Sequence, residues 1–184
     1  MDNKFVLDKS EAVLVIVDIQ EKLAAVMSER QKVIDNCLHL IELSRLLKIP
    51  VIVNEQYPKG LGPTVIELRE AFLSYEPLEK MTFSCCGGPV FPDKLALLGR
   101  KKIMLVGMET HVCVLQSCIG LLKEGYHVHA VSDAMCSRTK GNFKTGIRFM
   151  RDAGAVETST ETALFQLLER AGTEEFRVIS KRIK

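Results

Sequence analysis

A three-layer α/β fold is what the sequence predicts, with a doubly wound parallel sheet carrying helices on both faces, and three observations predict it. Apolar runs of strand length recur along the chain, at Ala12–Val17, Val51–Val53 and Ile103–Val106. They are unbroken rather than alternating, which is the pattern of strands covered on both faces. Stretches with helical spacing separate them, so strand and helix alternate. Right-handed crossovers leave few topologies for such an order, and an open, Rossmann-like sheet is the default. At 184 residues the chain suits one domain, 1–184, with a sizeable core.

The first strand, Ala12 to Val17, ends at Asp18. A helix is expected from about Ser28 to Lys48, with Val33, Cys37, Leu40, Ile41, Ser44 and Leu47 on one stripe and Pro50 ending it. The run Val51-Ile52-Val53 leads to Asn54-Glu55-Gln56. Two prolines and two glycines make Tyr57 to Thr64 a loop. A short helix follows over Val65 to Leu73, then a brief strand at Pro77 to Lys80, a loop from Thr82 to Pro92, and a helix over Phe91 to Gly99. The stretch Lys102 to Gly125 reads as strand, tight turn and helix, with Leu115, Cys118, Ile119 and Leu122 on one face and Gly125 as the C-terminal cap. A strand over Tyr126 to Val131 ends in Ser132-Asp133-Ala134. A helix from about Asn142 to Ala153 presents Ile147, Met150 and Ala153. The remainder is a strand at Val156 to Ser159, a helix over Glu161 to Arg170 with Leu164, Leu167 and Leu168 inward, and an amphipathic turn or helix in the tail from Glu174 to Ile183.

Composition narrows the function classes. A net charge of +2 provides no field for nucleic acid or a membrane surface, and Arg100-Lys101-Lys102 reads as a solvated loop. No apolar run approaches membrane-span length, and the first residues carry no signal-peptide core, which makes a cytoplasmic protein the expectation. The six cysteines are then expected to be reduced. No G-x-G-x-x-G or P-loop follows a strand, so nucleotide chemistry is not indicated.

Ligands of doubly wound sheets bind beyond the carboxyl ends of the strands, where strand order reverses. The residues expected there are Asp18, Glu55-Gln56, Lys80, the turn before Cys113, and Asp133. Cys113 sits in the first turn of a helix, where unpaired N–H groups and the dipole favour a thiolate. Asp18, on an adjoining strand, is placed to act as its base, and Lys80 to keep both anions charged. Each also has an ordinary reading, as a turn residue, a surface lysine and a structural thiol. His111 is a poor base for Cys113, because residues two apart on a helix face different ways. His127 and His129 share a strand face and read as a solvent-facing pair, with a metal site the lesser alternative. Cys85-Cys86 reads as pocket-lining loop rather than a redox pair.

Val17-Asp18-Ile19-Gln20, Lys80 within Glu79 to Ser84, and Gly107-Met108-Glu109-Thr110-His111-Val112-Cys113-Val114 together resemble the isochorismatase-like cysteine hydrolases. NEQYPKGLG and VGMETHVCVLQ look closest to the isochorismatase-domain-containing branch. The resemblance covers most of the chain, to about Leu168. It implies six parallel strands and a catalytic triad of Asp18, Lys80 and Cys113. It also implies a cis peptide between Met108 and Glu109, an oxyanion hole from the Glu109 and Cys113 amides, and a homo-oligomer, dimer or larger. Gln20, Glu55, Gln56, Tyr57, Phe83 and His111 are expected to bind substrate. Nicotinamidases of this superfamily carry an Asp and two His that bind metal, whereas Asn54 to Gly62 holds no histidine, so neither metal nor cofactor is expected. Isochorismatases proper typically lack the cysteine. The expected function is therefore cleavage of an amide or related C–N bond in a small molecule through a Cys113 acyl-enzyme. The alternatives are vinyl-ether hydrolysis, a thiol-redox protein using Cys113 with Cys118 or Cys85, and a non-catalytic scaffold that retains the fold.

Overall fold

The computed structural model describes residues 3–183. Six parallel strands form one sheet: β1 (Ala12–Val17), β2 (Val51–Gln56), β3 (Leu78–Lys80), β4 (Lys102–Met108), β5 (His127–Cys136) and β6 (Val156–Thr158), in the order β3-β2-β1-β4-β5-β6. Strand order therefore reverses between β1 and β4, as expected for two βαβ halves. Every residue of β1 and β4 is buried, which is why their sequences show no alternation.

The helices are α1 (Glu21–Ala24), α2 (Arg30–Leu46), α3 (Pro58–Leu61), α4 (Ile66–Arg69), α5 (Val90–Leu97), α6 (Leu115–Lys123), α7 (Lys140–Asp152), α8 (Thr160–Leu168) and α9 (Glu174–Arg182). Leu14, Ile16, Met104 and Val106 meet α2, α8 and α9 on one face, through Val33, Cys37, Leu40, Leu164, Leu167 and Ile179. Val13, Val15, Ile103 and Leu105 meet α5, α6 and α7 on the other, through Leu95, Cys118, Leu121, Ile147 and Met150. Each such side chain contributes about 1.5–3 kcal/mol by leaving water. The tail helix α9 is capped by the Thr173 hydroxyl, which accepts from the Phe176 N–H.

Several expectations need correction. The Tyr57–Thr64 stretch is not loop throughout: Pro58, pre-set for the first helical position, starts the one-turn α3. Strand β5 continues past Ser132-Asp133 to Cys136, because these polar residues find partners in place. Asp133 Oδ1 accepts from the Thr160 N–H at 2.7 Å and its hydroxyl at 2.8 Å. Asp133 O accepts from Asn36. Asp133 is thus the brace of α8 and not a residue at the strand's end.

His129 is no solvent-facing residue. It is 1% exposed, under the N-terminal segment, and burial lowers its pKa to about 4. On α6 the buried face is Ser117, Cys118 and Leu121, while Ile119 is 37% exposed. The rotation has a cause: the Ser117 hydroxyl is turned inward to accept from the Cys85 N–H at 2.9 Å. On α7, Gly146 replaces Ala153 beside Ile147 and Met150.

Candidate active site

The ends of β1, β3 and β4 bring three of the expected residues together. Asp18 follows β1 with φ +54°, a left-handed conformation that Asp tolerates better than most residues, and is fully buried. Its Oδ2 accepts from Lys80 Nζ at 2.7 Å, the Lys80 side chain being 7% exposed. Strand β4 approaches β1 where Val17 faces Gly107. A Cβ on Gly107 would lie 2.0 Å from Val17 O, so only glycine lets the two strands meet beside Asp18.

After β4 the chain makes a π turn, Thr110–Val114, before α6 begins. The Val114 N–H reaches back to Glu109 O and the Leu115 N–H to Thr110 O, each spanning five residues. Cys113 stands in this turn, 7% exposed, with its thiol close enough to Asp18 that each shifts the other's proton affinity. The Met108–Glu109 peptide bond is cis. Helix α7 presses on the same turn: a Cβ on Gly146 would lie 2.9 Å from Thr110 O.

The electrostatics overturn the expectation of a thiolate. Burial raises the Cys113 thiol's pKa, the Asp18 charge adds to this, and Lys80 offsets only part. The helix-terminal field does not win against desolvation beside an anion. Asp18 is raised too, burial first, with Lys80 and its hydrogen bond opposing. Burial thus pushes both acids towards their protonated forms, and the Lys80 cation opposes it.

The remaining expected residues fall into two groups. Gln56 Oε1 accepts from Lys80 Nζ at 2.8 Å. Tyr57 and Phe83 flank the same lysine through their main chains, with Tyr57 N–H donating to Lys80 O and Phe83 O accepting from Nζ at 3.2 Å. Their rings are about half exposed. Gln20, Glu55 and His111 point their polar atoms elsewhere. Gln20 is fully buried and spends its amide on Gln56 and Gly62 main chain. Glu55 lies one residue from Gln56 on the strand, hence on the opposite face, and accepts from the Tyr75 hydroxyl and the Thr64 N–H. His111 Nδ1 pairs with Ser137 Oγ at 3.0 Å. The Glu109 carboxylate accepts from the Arg138 N–H at 2.9 Å and Nε at 3.2 Å. Ser137 and Arg138, which hold the turn from β5's end, carry no motif that would have marked them in the sequence.

Comparison with known proteins identifies the family. Residues 12–162 match the Isochorismatase domain model. The chain belongs to the isochorismatase family. One member, a secreted isochorismatase effector of Phytophthora sojae, is 40% identical over 177 residues, covering 94% of this chain and 84% of that protein. Isochorismatase domain-containing protein 2 of Bos taurus is 35% identical over 174 residues, covering 94% and 83%. Among solved structures, one titled as the MAR1 ribonuclease of Caenorhabditis elegans superposes with a TM-score of 0.89 at 36% identity, over 97% of this chain and 92% of that one. The α/β fold is that of the family's hydrolases. Among the described residues no helix is long and apolar enough to cross a membrane.

Proposed function

We propose that this isochorismatase-family protein hydrolyses an amide or related C–N bond of a small molecule through a Cys113 acyl-enzyme. One observation carries the reading: a buried Asp18–Lys80 pair at 2.7 Å beside a buried thiol, at the strand-order reversal. Asp18 Oδ1, the oxygen not held by Lys80, has no hydrogen-bond partner among the described residues. In this reading it takes the Cys113 proton as sulfur attacks the carbonyl carbon. Burial makes Asp18 a stronger base than an exposed carboxylate, but it raises the Cys113 thiol as well, so the proton moves on attack rather than beforehand. The Glu109 and Cys113 amides stabilise the tetrahedral oxyanion. Its collapse breaks the C–N bond, and Asp18 returns the proton to the departing nitrogen. Water, deprotonated by Asp18, then attacks the thioester, releasing the acid and restoring the thiol. Lys80 supplies the positive charge, and no metal is required.

Intact-mass screening against amides, ureas, imides and esters tests this. The expected result is an acyl adduct on Cys113 that is absent from Cys113→Ala. Adducts distributed equally over the six cysteines, or unchanged in Cys113→Ala, would sink the proposal.

Ribonuclease activity, which the name of the Caenorhabditis elegans protein carries, is a second reading. The net charge of +2 supports phosphate binding poorly, and cleavage of a labelled RNA that survives Cys113→Ala would favour it.

A further inference from the structure

A buried ammonium needs an acceptor for each of its three protons. Lys80 Nζ is met by Asp18 Oδ2 at 2.7 Å, Gln56 Oε1 at 2.8 Å, Phe83 O at 3.2 Å and Thr82 O at 3.4 Å. Of the two side-chain acceptors, only the amide depends on which way it is turned, since its NH2 group would repel the ammonium. Its orientation is fixed from the other end, where Gln56 Nε2 donates to Met81 O at 3.0 Å. The main chain of Gln56 is gripped as well. Gln20 Oε1 accepts from the Gln56 N–H at 2.8 Å, and Gln20 Nε2 donates to Gln56 O at 3.0 Å and Gly62 O at 2.6 Å. Gln20 lies two residues beyond Asp18. The contacts therefore close a ring over three neighbouring strands: Asp18 to Gln20 along the chain, Gln20 to Gln56, Gln56 to Lys80, and Lys80 back to Asp18.

We infer that Gln56 is a positioning residue for the Asp18–Lys80 pair, acting through Lys80 and anchored by Gln20, rather than a substrate contact. The inference rests on the acyl-enzyme reading. A neutral acceptor suits the task. A carboxylate there would divide the ammonium's field and add like charge, raising the proton affinity of Asp18 and Cys113 together. An apolar side chain would remove one of the two short contacts and leave the third N–H only the long one to Thr82 O at 3.4 Å.

The test is the iodoacetamide alkylation rate of Cys113, read by peptide mass as a function of pH, which needs no substrate. Gln56→Glu, nearly isosteric, is expected to move the midpoint of the profile upward by about one pH unit. Gln56→Met is expected to lower the plateau by about tenfold, the loss of one hydrogen bond to a charged group. Far-UV circular dichroism should match the wild type in both, and alkylation of the denatured chains should be equal. If Gln56→Glu does not fold, the Gln56→Met plateau decides alone. Wild-type alkylation that slows in Asp18→Asn, combined with Gln56 profiles that superimpose on the wild type, overturns the inference and leaves the acyl-enzyme reading standing. Wild-type alkylation indifferent to Asp18→Asn overturns both.

Discussion

At the scale of single residues, the site is governed by how little water reaches it. The Asp18 and Lys80 side chains and Cys113 are each less than a tenth exposed, so the Lys80 charge has to serve two acids whose pKa values both rise. The sign for catalysis follows. In the proposed mechanism Asp18 is a base only when deprotonated, and its pKa is raised, so the acid limb of turnover should lie above the ordinary carboxylate range near pH 4. Lys80→Met removes the opposing cation. It should move that limb further upward and lower the rate by about 10²–10⁴ at neutral pH, measured as the pH profile of adduct formation. A limb that stays in place would separate Lys80 from the titration of Asp18. The residues of this pair were legible in the sequence because motif and strand end coincide there. Gln56's direction was not. An amide declares its acceptor only through its neighbours, and Met81 O, which turns it, lies 25 residues away. The partner of Glu55 was hidden for a related reason: strand alternation sends it to Tyr75, which no spacing rule connects to it.

At the scale of elements, strand contact at the reversal point depends on an absent side chain. Gly107 has φ +135° and no room for a Cβ against Val17 O. Gly107→Ala should therefore destabilise the fold by about 3–5 kcal/mol, since main chain cannot yield as a flexible side chain would. Urea unfolding would show it, and a loss under about 1 kcal/mol would mean that β1 and β4 separate easily. The strands themselves were readable, as runs like AVLVIV admit little else once flanked by helical spacing. Where the reading failed, a local contact overrode an apolar count. Ser117 displaced Ile119 from the buried face of α6 because the Cys85 amide needed an acceptor, and β5 ran on through Asp133 because Thr160 and Asn36 satisfied it. The π turn was also hidden: one extra residue per turn leaves no compositional mark.

At the scale of the whole molecule, the end of the sheet opposite the candidate site carries its own pH dependence. Lys102 Nζ donates to Val6 O at 2.6 Å and Asn3 O at 3.3 Å, and the Leu7 N–H donates to Gln166 Oε1 at 2.8 Å. His129 lies buried beneath this segment, bonded to the Lys4 main chain and close to Lys102 and His127. Its pKa is lowered from 6.5 to about 4. The unfolded chain thus binds the proton first, and the stability His129 contributes is complete above pH 6.5 and lost as pH falls towards 4. By pH 5 the loss should be about 2 kcal/mol, from 1.5 units at 1.36 kcal/mol each. Urea midpoints against pH would measure it, and His129→Gln should flatten the slope; an unchanged slope would place the acid sensitivity elsewhere. A last consequence concerns α7. Arg138 and Ser137, just before it, hold Glu109 and His111, while Gly146 within it lies flush against Thr110. The helix is therefore a handle on the turn that carries Cys113. Rotating it by a few degrees would carry Cys113 with the turn and change its distance from Asp18 and Lys80, which stand at the ends of other strands.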